Sequence, residues 1–499
     1  MMEKYLYGAS VQGIQSFIFK TNKLKEIIGA SEIVEEICTS KFYEISGLNA
    51  ESKEIILSAA GNVKCILNKE QCEKLVLTFS KEIQKIAPGI TISQAVVKFK
   101  EGEEYPIQDL ENRLKIQRNK LQKPIEIGFM GLERDRRSGG IAFEKYSKGK
   151  DNEEYVSEES HLKREAIKFS TENKNEISKE RLFEKISGIE NVPNSELSFD
   201  IEHITESGKN SWIAVIHADG NGLGNILQNR GEELSTNKEF KDFSISIESA
   251  TKSAVQKAFN EVVTKDKKEF EIKNQTNKKY RYPVRPIVLG GDDLTIIIRA
   301  DLAIAFTETF LKEFEQTSKD EFSRLKTKGI DGLTACAGIA FIKESYPLHY
   351  GLNLAEELCK DAKKSSRTES SLTFYKVQES FIEDFDLLKE KTLKTNSGLS
   401  FYAGPYNSEN LKELNRKLAT IKNESVENDK TKAVGKLRQI VSETYKDKST
   451  AIFMLKRMQE INKDFYESLK LEKELESIES NGTSQLVDLI TLHGFNYGN

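Results

Sequence analysis

The residues best suited to chemistry lie in a short turn, Gly290-Gly291-Asp292-Asp293, between two apolar runs. Glycines tolerate the backbone angles of a tight hairpin, so the two aspartates are expected at its tip. Two adjacent carboxylates repel each other unless cations neutralise them. Mg²⁺ prefers oxygen ligands and is usually bound by one or two carboxylates plus substrate phosphates. The turn therefore indicates metal-assisted phosphoryl or nucleotidyl transfer, with a merely solvated turn as the alternative.

A third carboxylate, Asp219, ends the apolar run 212–219, which is typical of a central strand buried on both faces. A glycine-rich turn, 220–224, follows it, and its backbone N–H groups are able to approach phosphates. If this strand lies beside the hairpin, Asp219, Asp292 and Asp293 converge on one edge of the sheet. Three carboxylates suit a two-metal site with ions about 3.5–4 Å apart.

Composition limits the alternatives. The chain has 499 residues, which predicts two to four domains, and its formal net charge of −4 gives no global field attracting nucleic acid. Its five cysteines are scattered and form no C-x-x-C pair, which argues against disulfides and zinc ribbons and favours a reducing cytoplasm. No signal peptide or membrane-spanning run is found, so we predict a cytoplasmic protein without membrane contact.

The elements that must position these carboxylates follow the order β-α-β-β-α-β. Hydrophobic patterns predict strands at 211–219, 284–289, 293–299 and 333–341, helices near 244–262, 301–316 and 352–365, and a last strand near 372–376. This order is that of the ferredoxin-like split βαβ unit.

The same order occurs once more at the N-terminus. Strands are predicted at 5–10, 55–57, 63–67 and 90–97, with helical stretches near 12–36 and 69–86. When the two hairpins are overlaid, Gly61 and Asn62 fall where Asp292 and Asp293 stand. The first strand of this copy also ends without a carboxylate. We interpret this as an internal duplication in which only the second copy keeps metal ligands.

The remaining segments lack a catalytic pattern. The loop 134–140 is basic and able to bind phosphate, although a solvated loop is the simpler interpretation. Residues 150–182 are predicted to be exposed helix or flexible connector. After Val377 apolar residues recur at 3.6-residue spacing, which predicts a helical bundle.

The predicted fold class is thus α+β, with two ferredoxin-like domains, the first catalytically degenerate, and a C-terminal α-helical bundle. The predicted boundaries are 1–115 for the first domain, 116–205 for a charged connector, 206–378 for the second domain and 379–499 for the helical domain.

Several ordered motifs resemble those of the large palm-domain subunit of type III CRISPR effector complexes, the cyclic oligoadenylate synthase. The first palm opening is similar at Gly8–Phe19 and Ile28–Glu32. In the second palm the similar segments, in order, are Asp219–Gly224, Leu289–Leu294, Ala337–Ala340, Pro347-Leu348 and Ala355–Lys363. The resemblance covers most of the chain. It implies either a Cmr-type subunit or a stand-alone relative in anti-phage signalling.

Two departures from that family shape the expectations. Many members begin with an HD nuclease domain, but none of the five histidines here is followed by aspartate, so no DNase activity is expected. Many members also carry a zinc site between the palms, yet this chain has no cysteine between Cys72 and Cys336. The inter-palm region is expected to be held together in another way, or to be mobile.

The resemblance implies a site for ATP and two Mg²⁺ or Mn²⁺ ions, with Asp219, Asp292 and Asp293 as catalytic residues. In this interpretation the 3′-hydroxyl of a second nucleotide attacks the α-phosphorus of ATP, and repeated transfer with ring closure yields a cyclic oligonucleotide. Ser10 and Gln12 of the first palm are candidates for holding the acceptor. The metal ligands would be Asp219, Gly220, Asp292 and Asp293, and the nucleotide-binding residues Gly220, Asn221, Gly222, Gly224, Gly290, Gly291, Lys363 and Lys364.

Two other functions remain open. One is a non-catalytic scaffold that binds guide or target RNA or other type III CRISPR subunits. The other is a cyclic dinucleotide synthase related to GGDEF cyclases, although Asp293 stands where those enzymes continue with Glu-Phe. For a synthase, the expected partners also include a downstream effector that responds to the cyclic nucleotide.

Overall fold

The computed structural model of the chain describes most of its length. The described residues are 3–49, 51–59, 61–100, 106–120, 131–147, 153–167, 181–208, 210–223, 237–274, 280–325, 331–365, 368–379, 384–427 and 431–497.

The strands are labelled in chain order. They are β1 (Glu3–Gln12), β2 (Ile55–Ala59), β3 (Asn62–Leu67), β4 (Thr91–Lys100), β5 (Ala142–Ser147), β6 (Glu153–Ser157), β7 (Trp212–Gly220), β8 (Val284–Gly290), β9 (Asp293–Arg299), β10 (Ala335–Lys343), β11 (Ser371–Lys376) and β12 (Tyr406–Asn407).

The α-helices before β10 are α1 (Ile14–Ile18), α2 (Leu24–Cys38), α3 (Ser40–Ser46), α4 (Lys69–Ile86), α5 (Ile107–Arg118), α6 (Glu158–Glu165), α7 (Arg181–Ser187), α8 (Ile201–Thr205), α9 (Asn237–Ala258), α10 (Thr264–Asn274) and α11 (Ala300–Leu325). Those after β10 are α12 (Leu348–Ser365), α13 (Phe385–Lys391), α14 (Ser408–Glu427), α15 (Thr431–Lys446), α16 (Lys448–Ile461), α17 (Lys463–Ser468), α18 (Leu471–Ser480) and α19 (Leu486–Tyr497). A π-helical segment, Phe259–Val263, connects α9 to α10, and a 3₁₀ turn lies at Asn194–Glu196.

Internal contacts divide the chain into two compact units. The first contains Met1–His203, Gly222–Ile296 and Glu313–Leu333, and the second contains Ile204–Asn221, Ile297–Lys312 and Thr334–Asn499. The predicted domain boundaries are a finer division than this one, and they stay a prediction.

The N-terminal sheet has four strands in the order β2-β3-β1-β4. β1 is central and pairs antiparallel with both β3 and β4, with Ser10 opposite Asn62 and Ser93. One face packs on α5 through Leu6, Val97 and Leu110, which are all buried. The predicted hairpin and the helix at 69–86 are confirmed; α4 begins at a capping box in which Asn68 and Gln71 satisfy each other's backbone N–H groups. The predicted helical stretch at 12–36 is instead two helices, α1 and α2, and β1 runs on to Gln12.

The second sheet has six strands in the order β12-β11-β10-β7-β9-β8. Across this sheet, β8, β9, β7 and β10 are neighbours in that order. This is the order of β2, β3, β1 and β4 across the N-terminal sheet. β10 pairs antiparallel with β7 and parallel with β11. The predicted strand 293–299 is confirmed without change, and the other predicted strands of this region are within two residues of the observed ends. The mixed α+β class is confirmed.

The connector differs from its prediction. Most of residues 153–165 are at least partly buried: they form β6 and α6, and α6 packs on α2. Arg164 donates to Glu26 at 2.5 and 2.7 Å, and Lys163 donates to Glu159 at 2.6 Å. These charges are buried in pairs, so the segment lacks the apolar periodicity by which buried helices are recognised. Of the predicted segment 150–182, residues 150–152 and 168–180 lie outside the described residues.

The charged side chains of the basic loop 134–140 mostly bind groups of the protein itself. Asp135 accepts backbone N–H groups of Arg137 and Ser157, and these hydrogen bonds hold its pKa well below the ordinary value despite burial. Arg137 forms an ion pair with Glu154, and Arg134 donates to the Gly139 carbonyl at 2.8 Å. Two of the three arginines thus bind groups of the protein itself.

Gly29 lets α2 approach α6 at backbone distance. A Cβ at this position would lie 1.7 Å from the Lys163 carbonyl oxygen. Gly29→Ala should therefore lower the free energy of unfolding by ~2 kcal/mol, because backbone atoms must move apart. Gly435→Ala in α15 is the matched control, since nothing lies within 4 Å of its Cβ position. It should stabilise by up to ~1 kcal/mol through helix propensity alone. Urea unfolding that ranks both variants alike would contradict the close packing.

The chain after Val377 is helical, as predicted, except for the two-residue strand β12 that pairs with β11. Leu414, Leu437, Leu455 and Leu489 are fully buried at its centre. All five cysteines are buried thiols that form no disulfide. Within the described residues, no helix combines the length and the apolar character needed to cross a membrane.

Candidate active site

Asp219 is the penultimate residue of β7, a central strand of the second sheet. β7 is flanked by β10 and β9, and its residues Ile213 to Ile216 are at most 1 % exposed. The register places Asp219 opposite Cys336 and Gly220 opposite Ala335, which is the first residue of β10. A continuous apolar strand thus carries one carboxylate to the edge where the sheet meets solvent, as predicted.

Lys363 of α12 is the direct partner of Asp219. Its Nζ donates to Asp219 Oδ2 at 2.5 Å and to the Gly220 carbonyl oxygen at 2.8 Å. α12 lies close enough for this because Gly338 of β10 has no side chain; a Cβ there would lie 2.0 Å from the Ala355 carbonyl oxygen. The ammonium group therefore binds the two oxygen atoms that were predicted to bind a metal ion.

Lys364 points to a different partner. Its Nζ contacts Asp386 Oδ2 at 3.1 Å, and both side chains are more than half exposed. The structure therefore separates two adjacent lysines that the sequence treats alike, and we leave Lys364 out of the site proposed below.

His217 precedes Asp219 by two residues and lies near it. Burial lowers the pKa of His217 to about 4, which outweighs the opposite effect of the Asp219 charge. The imidazole is therefore neutral at physiological pH and leaves Lys363 as the cation bound to Asp219.

The turn after β7 is fixed by Asn221 rather than left free for a ligand. The Asn221 amide Nδ2 donates to Thr334 Oγ1 at 2.9 Å, and its backbone N–H donates to the Thr334 carbonyl at 2.8 Å. The next residue, Gly222, has φ +75°, which favours glycine. The predicted phosphate contact of Gly224 falls outside the described residues.

The Gly-Gly-Asp-Asp turn has the predicted placement. Gly290 ends β8, Asp293 begins β9, and Gly291 between them has φ +61°. The buried hydroxyl of Thr251, in α9, donates to the Gly291 carbonyl at 2.6 Å and to the Ile247 carbonyl at 2.9 Å. Sequence analysis missed Thr251, since nothing in a helical threonine 40 residues away indicates a contact with the turn.

Thr251→Val should loosen this turn while preserving side-chain shape. We expect a loss of about 1 kcal/mol in stability, because the Gly291 carbonyl loses its donor. If the turn carries catalytic groups, nucleotidyl transfer should fall by ~5-fold or more, since misplaced reacting groups are costly. Thr251→Ser keeps the hydroxyl and should behave like the unchanged protein. Equal unfolding midpoints and rates for the valine and serine variants would exclude a role for this hydrogen bond.

The described residues contain no group of three or more His, Cys, Asp or Glu side chains arranged to hold a metal ion. The donor set nevertheless fits a hard cation, because the Asp219 carboxylate and the Gly220 carbonyl already share a positive charge.

The corresponding edge of the N-terminal sheet is polar and uncharged. Ser10 Oγ donates to Asn62 Oδ1 at 2.8 Å, and Gln12 Nε2 donates to Ser10 Oγ at 3.2 Å. These are the positions at which the overlay of the two hairpins predicts no metal ligand. Amide and hydroxyl groups suit hydrogen bonding to a neutral group such as a base or ribose.

Comparison with known proteins supports this organisation. The family model of the Cas10/Cmr2 second palm domain matches residues 212–373. No curated protein sequence gave a match. Among solved structures, a Csm1-Csm4 cassette in complex with cA4 is similar, with a TM-score of 0.58, 13 % identity, and coverage of 98 % of this chain and 70 % of that one.

Two further structures of the Csm1-Csm4 cassette are also similar. The complex with pppApA has a TM-score of 0.56, 12 % identity, and coverage of 98 % of this chain and 69 % of that chain. The complex with AMPPNP has a TM-score of 0.56, 12 % identity, and coverage of 98 % and 70 %. At this identity the likeness establishes the fold. Residues 212–373 thus match the second palm domain of the Cas10/Cmr2 family, and the fold of the chain is similar to that of the Csm1-Csm4 cassette structures.

Proposed function

We propose that the chain is a nucleotidyltransferase that converts ATP into a cyclic oligonucleotide of the cyclic oligoadenylate type, for antiviral defence of the type III CRISPR kind. The observation that carries the proposal is the pairing of Asp219 and Gly220 with Lys363, in a second palm domain that also contains Asp292 and Asp293 in a hairpin turn. Carboxylate, carbonyl and ammonium groups are the ones that a metal-bound triphosphate needs.

In this proposal Asp219, the Gly220 carbonyl, Asp292 and Asp293 hold two Mg²⁺ or Mn²⁺ ions. When bound, such ions lower the pKa of an attacking hydroxyl and neutralise the leaving pyrophosphate. Lys363 exchanges its oxygen partners for phosphate oxygens, which leaves the Asp219 carboxylate available. The backbone N–H groups of Gly222 and of the turn at 290–291 orient the triphosphate, and Thr251 keeps the second turn in place.

The N-terminal sheet would hold the acceptor nucleotide as a degenerate palm. A cavity of about 590 Å³ adjoins the end of β1, lined among others by Gln12, Ser16, Lys20, Ser93 and Arg118. Its hydroxyl and amide groups suit ribose and base edges, whereas Lys20 is paired with Glu159, which also lines the cavity. Substitution of Gln12 should then raise the KM for ATP in the acceptor role more than it lowers kcat.

The proposed partners follow from the comparisons. The similar structures are described as Csm1-Csm4 cassettes with AMPPNP, pppApA and cA4. For this chain we accordingly propose ATP as substrate, a Csm4-like subunit and guide or target RNA as assembly partners, and a downstream effector that binds the cyclic product.

The proposal is tested by incubating the purified protein with each α-labelled nucleoside triphosphate and Mg²⁺ or Mn²⁺, and identifying products by mass spectrometry. A cyclic oligoadenylate supports it. A cyclic dinucleotide would favour a synthase related to GGDEF cyclases. If no product forms either alone or after addition of co-purifying RNA and proteins, the chain is a scaffold subunit and the proposal is wrong.

A further inference from the structure

The second sheet carries a cluster of cations at the end opposite to Asp219. Trp212 begins β7, and its register partner Lys343 ends β10. Lys376 ends β11, which runs parallel to β10, with Lys376 opposite Phe341. These three residues therefore share one end of the sheet. Along β7, the seven-residue separation of Trp212 from Asp219 corresponds to about 23 Å.

Both lysines lie on the same aromatic ring. Lys343 Nζ is 4.5 Å from the centre of the Trp212 ring system, and Lys376 Nζ is 4.6 Å from it. Lys376 Nζ is also 5.2 Å from the centre of the Phe495 ring. The two ammonium groups are thus no more than about 9 Å apart, which is the sum of the first two distances. Each gains from the ring, but the two repel each other.

Nothing described in the chain neutralises this cluster. Lys343 Nζ donates to the Ser211 hydroxyl at 3.3 Å. Among the described residues, neither lysine nor the nearby Arg438 forms an ion pair with a carboxylate. The adjacent carboxylate, Glu344, accepts instead from the Thr205 hydroxyl at 2.8 Å.

This arrangement destabilises the charged form of Lys376, which is half-buried. Burial, together with the charges of Lys343 and Arg438, lowers the pKa of Lys376 below its ordinary value. The folded protein therefore disfavours the ammonium form relative to the unfolded chain, and the penalty is fully present at neutral pH. An anion between the cations would convert this repulsion into attraction.

We propose that Trp212, Lys343 and Lys376, with the Ser211 hydroxyl and Arg438 at the rim, form a binding site for a phosphate group. Ammonium groups and a hydroxyl are the donors that phosphate oxygens take. The phosphate belongs either to the backbone of a single-stranded RNA or to free inorganic phosphate. The site shares no residue with the proposed nucleotidyl-transfer site, and it stands independently of that function.

The chain offers a direct reporter, because Trp212 is its only tryptophan. Full-length protein in a phosphate-free buffer is titrated with inorganic phosphate and, separately, with a single-stranded RNA of about 15 nucleotides, while tryptophan fluorescence is recorded. We expect a saturable change that weakens by ~10-fold or more in the double variant Lys343→Gln/Lys376→Met and persists in Lys376→Arg.

The two titrations identify the source of the phosphate. The site is assigned to an RNA backbone if RNA saturates it at a phosphate-group concentration ~100-fold below the concentration of inorganic phosphate that is needed. The binding of RNA should then also depend steeply on salt. Equal affinity for both per phosphate group assigns it to free phosphate. If neither changes the fluorescence, or if the double variant responds like the unchanged protein, the site does not bind phosphate and the proposal fails.

Thermal unfolding separates binding from a purely structural role. Without phosphate, Lys376→Met should raise the melting temperature, because it removes a disfavoured charge and keeps the apolar stem. Lys267→Met is the matched control: Lys267 also lies over tyrosine rings, but it is paired with Glu196 at 2.7 Å, so its loss should lower the melting temperature. If both variants are destabilised alike, Lys376 is an ordinary cation–π contact and the proposal is wrong.

Discussion

Asp292→Asn combined with Asp293→Asn should reduce formation of the cyclic product by ~10³-fold or more. Asparagine keeps the size of each side chain and removes the charge that neutralises a metal ion. Metal-ion stabilisation of phosphoryl-transfer transition states contributes several kcal/mol, and ~4 kcal/mol corresponds to about three orders of magnitude. Single-turnover rates with α-labelled ATP, measured beside a divalent-ion binding isotherm, provide the test.

The matched control is Asp464→Asn, which removes one exposed carboxylate from the helical domain at α17. It should leave both the rate and metal affinity unchanged. Because the turn is held by Thr251 and by Gly291 in a left-handed conformation, the double asparagine variant should also unfold at a similar denaturant concentration. Full turnover in a folded double variant would rule out the assigned catalytic role of the turn.

Lys363→Met should change metal and nucleotide affinities in opposite directions. In the structure, the ammonium group of Lys363 binds Asp219 Oδ2 and the Gly220 carbonyl, which are the oxygen atoms that the proposed divalent ion needs. The ion pair is partly exposed and is thus worth only up to ~1 kcal/mol. Removing it should tighten Mn²⁺ binding in the absence of nucleotide by about 2–5-fold, because the ion no longer displaces a cation.

The same variant should bind ATP more weakly by ~30-fold, since a charge-assisted hydrogen bond to phosphate contributes roughly 1.5–3 kcal/mol. Electron paramagnetic resonance of Mn²⁺ gives the metal affinity, and calorimetry with a non-hydrolysable ATP analogue gives the nucleotide affinity. Lys364→Met is the comparison, since Lys364 is paired with Asp386 at the surface. Weaker Mn²⁺ binding in Lys363→Met would instead mean that Lys363 positions Asp219 for the metal.

The strands that carry the candidate site could be read from local sequence. Residues 293–299 form a strand with the predicted ends, because an apolar run that follows a Gly-Gly-Asp-Asp turn depends only on neighbouring residues. The same patterns predicted the succession of strands and helices from β7 to β10 and its repetition from β1 to β4. Asp219 at the end of β7 and Asp293 at the start of β9 were located in this way.

The connector shows where such patterns fail. Buried segments are recognised by apolar periodicity, but α6 is buried through ion pairs of Lys163 and Arg164 with Glu159 and Glu26. In sequence these residues are indistinguishable from a solvated face. Only the packing of α6 on α2, at the backbone distance that Gly29 allows, reveals that the charges are internal.

Three features of the sites depended on tertiary structure alone. Lys363 and Lys364 are adjacent in sequence, and only the packing of α12 against β10 directs one to Asp219 and the other to Asp386. Thr251 supports Gly291 across a separation of 40 residues. Lys343 and Lys376 meet on Trp212 because strand register brings them together. Residue types and short-range spacing determine which elements form and which groups are able to react. Which side chains meet depends on the docking of distant elements, and no short-range pattern encodes that.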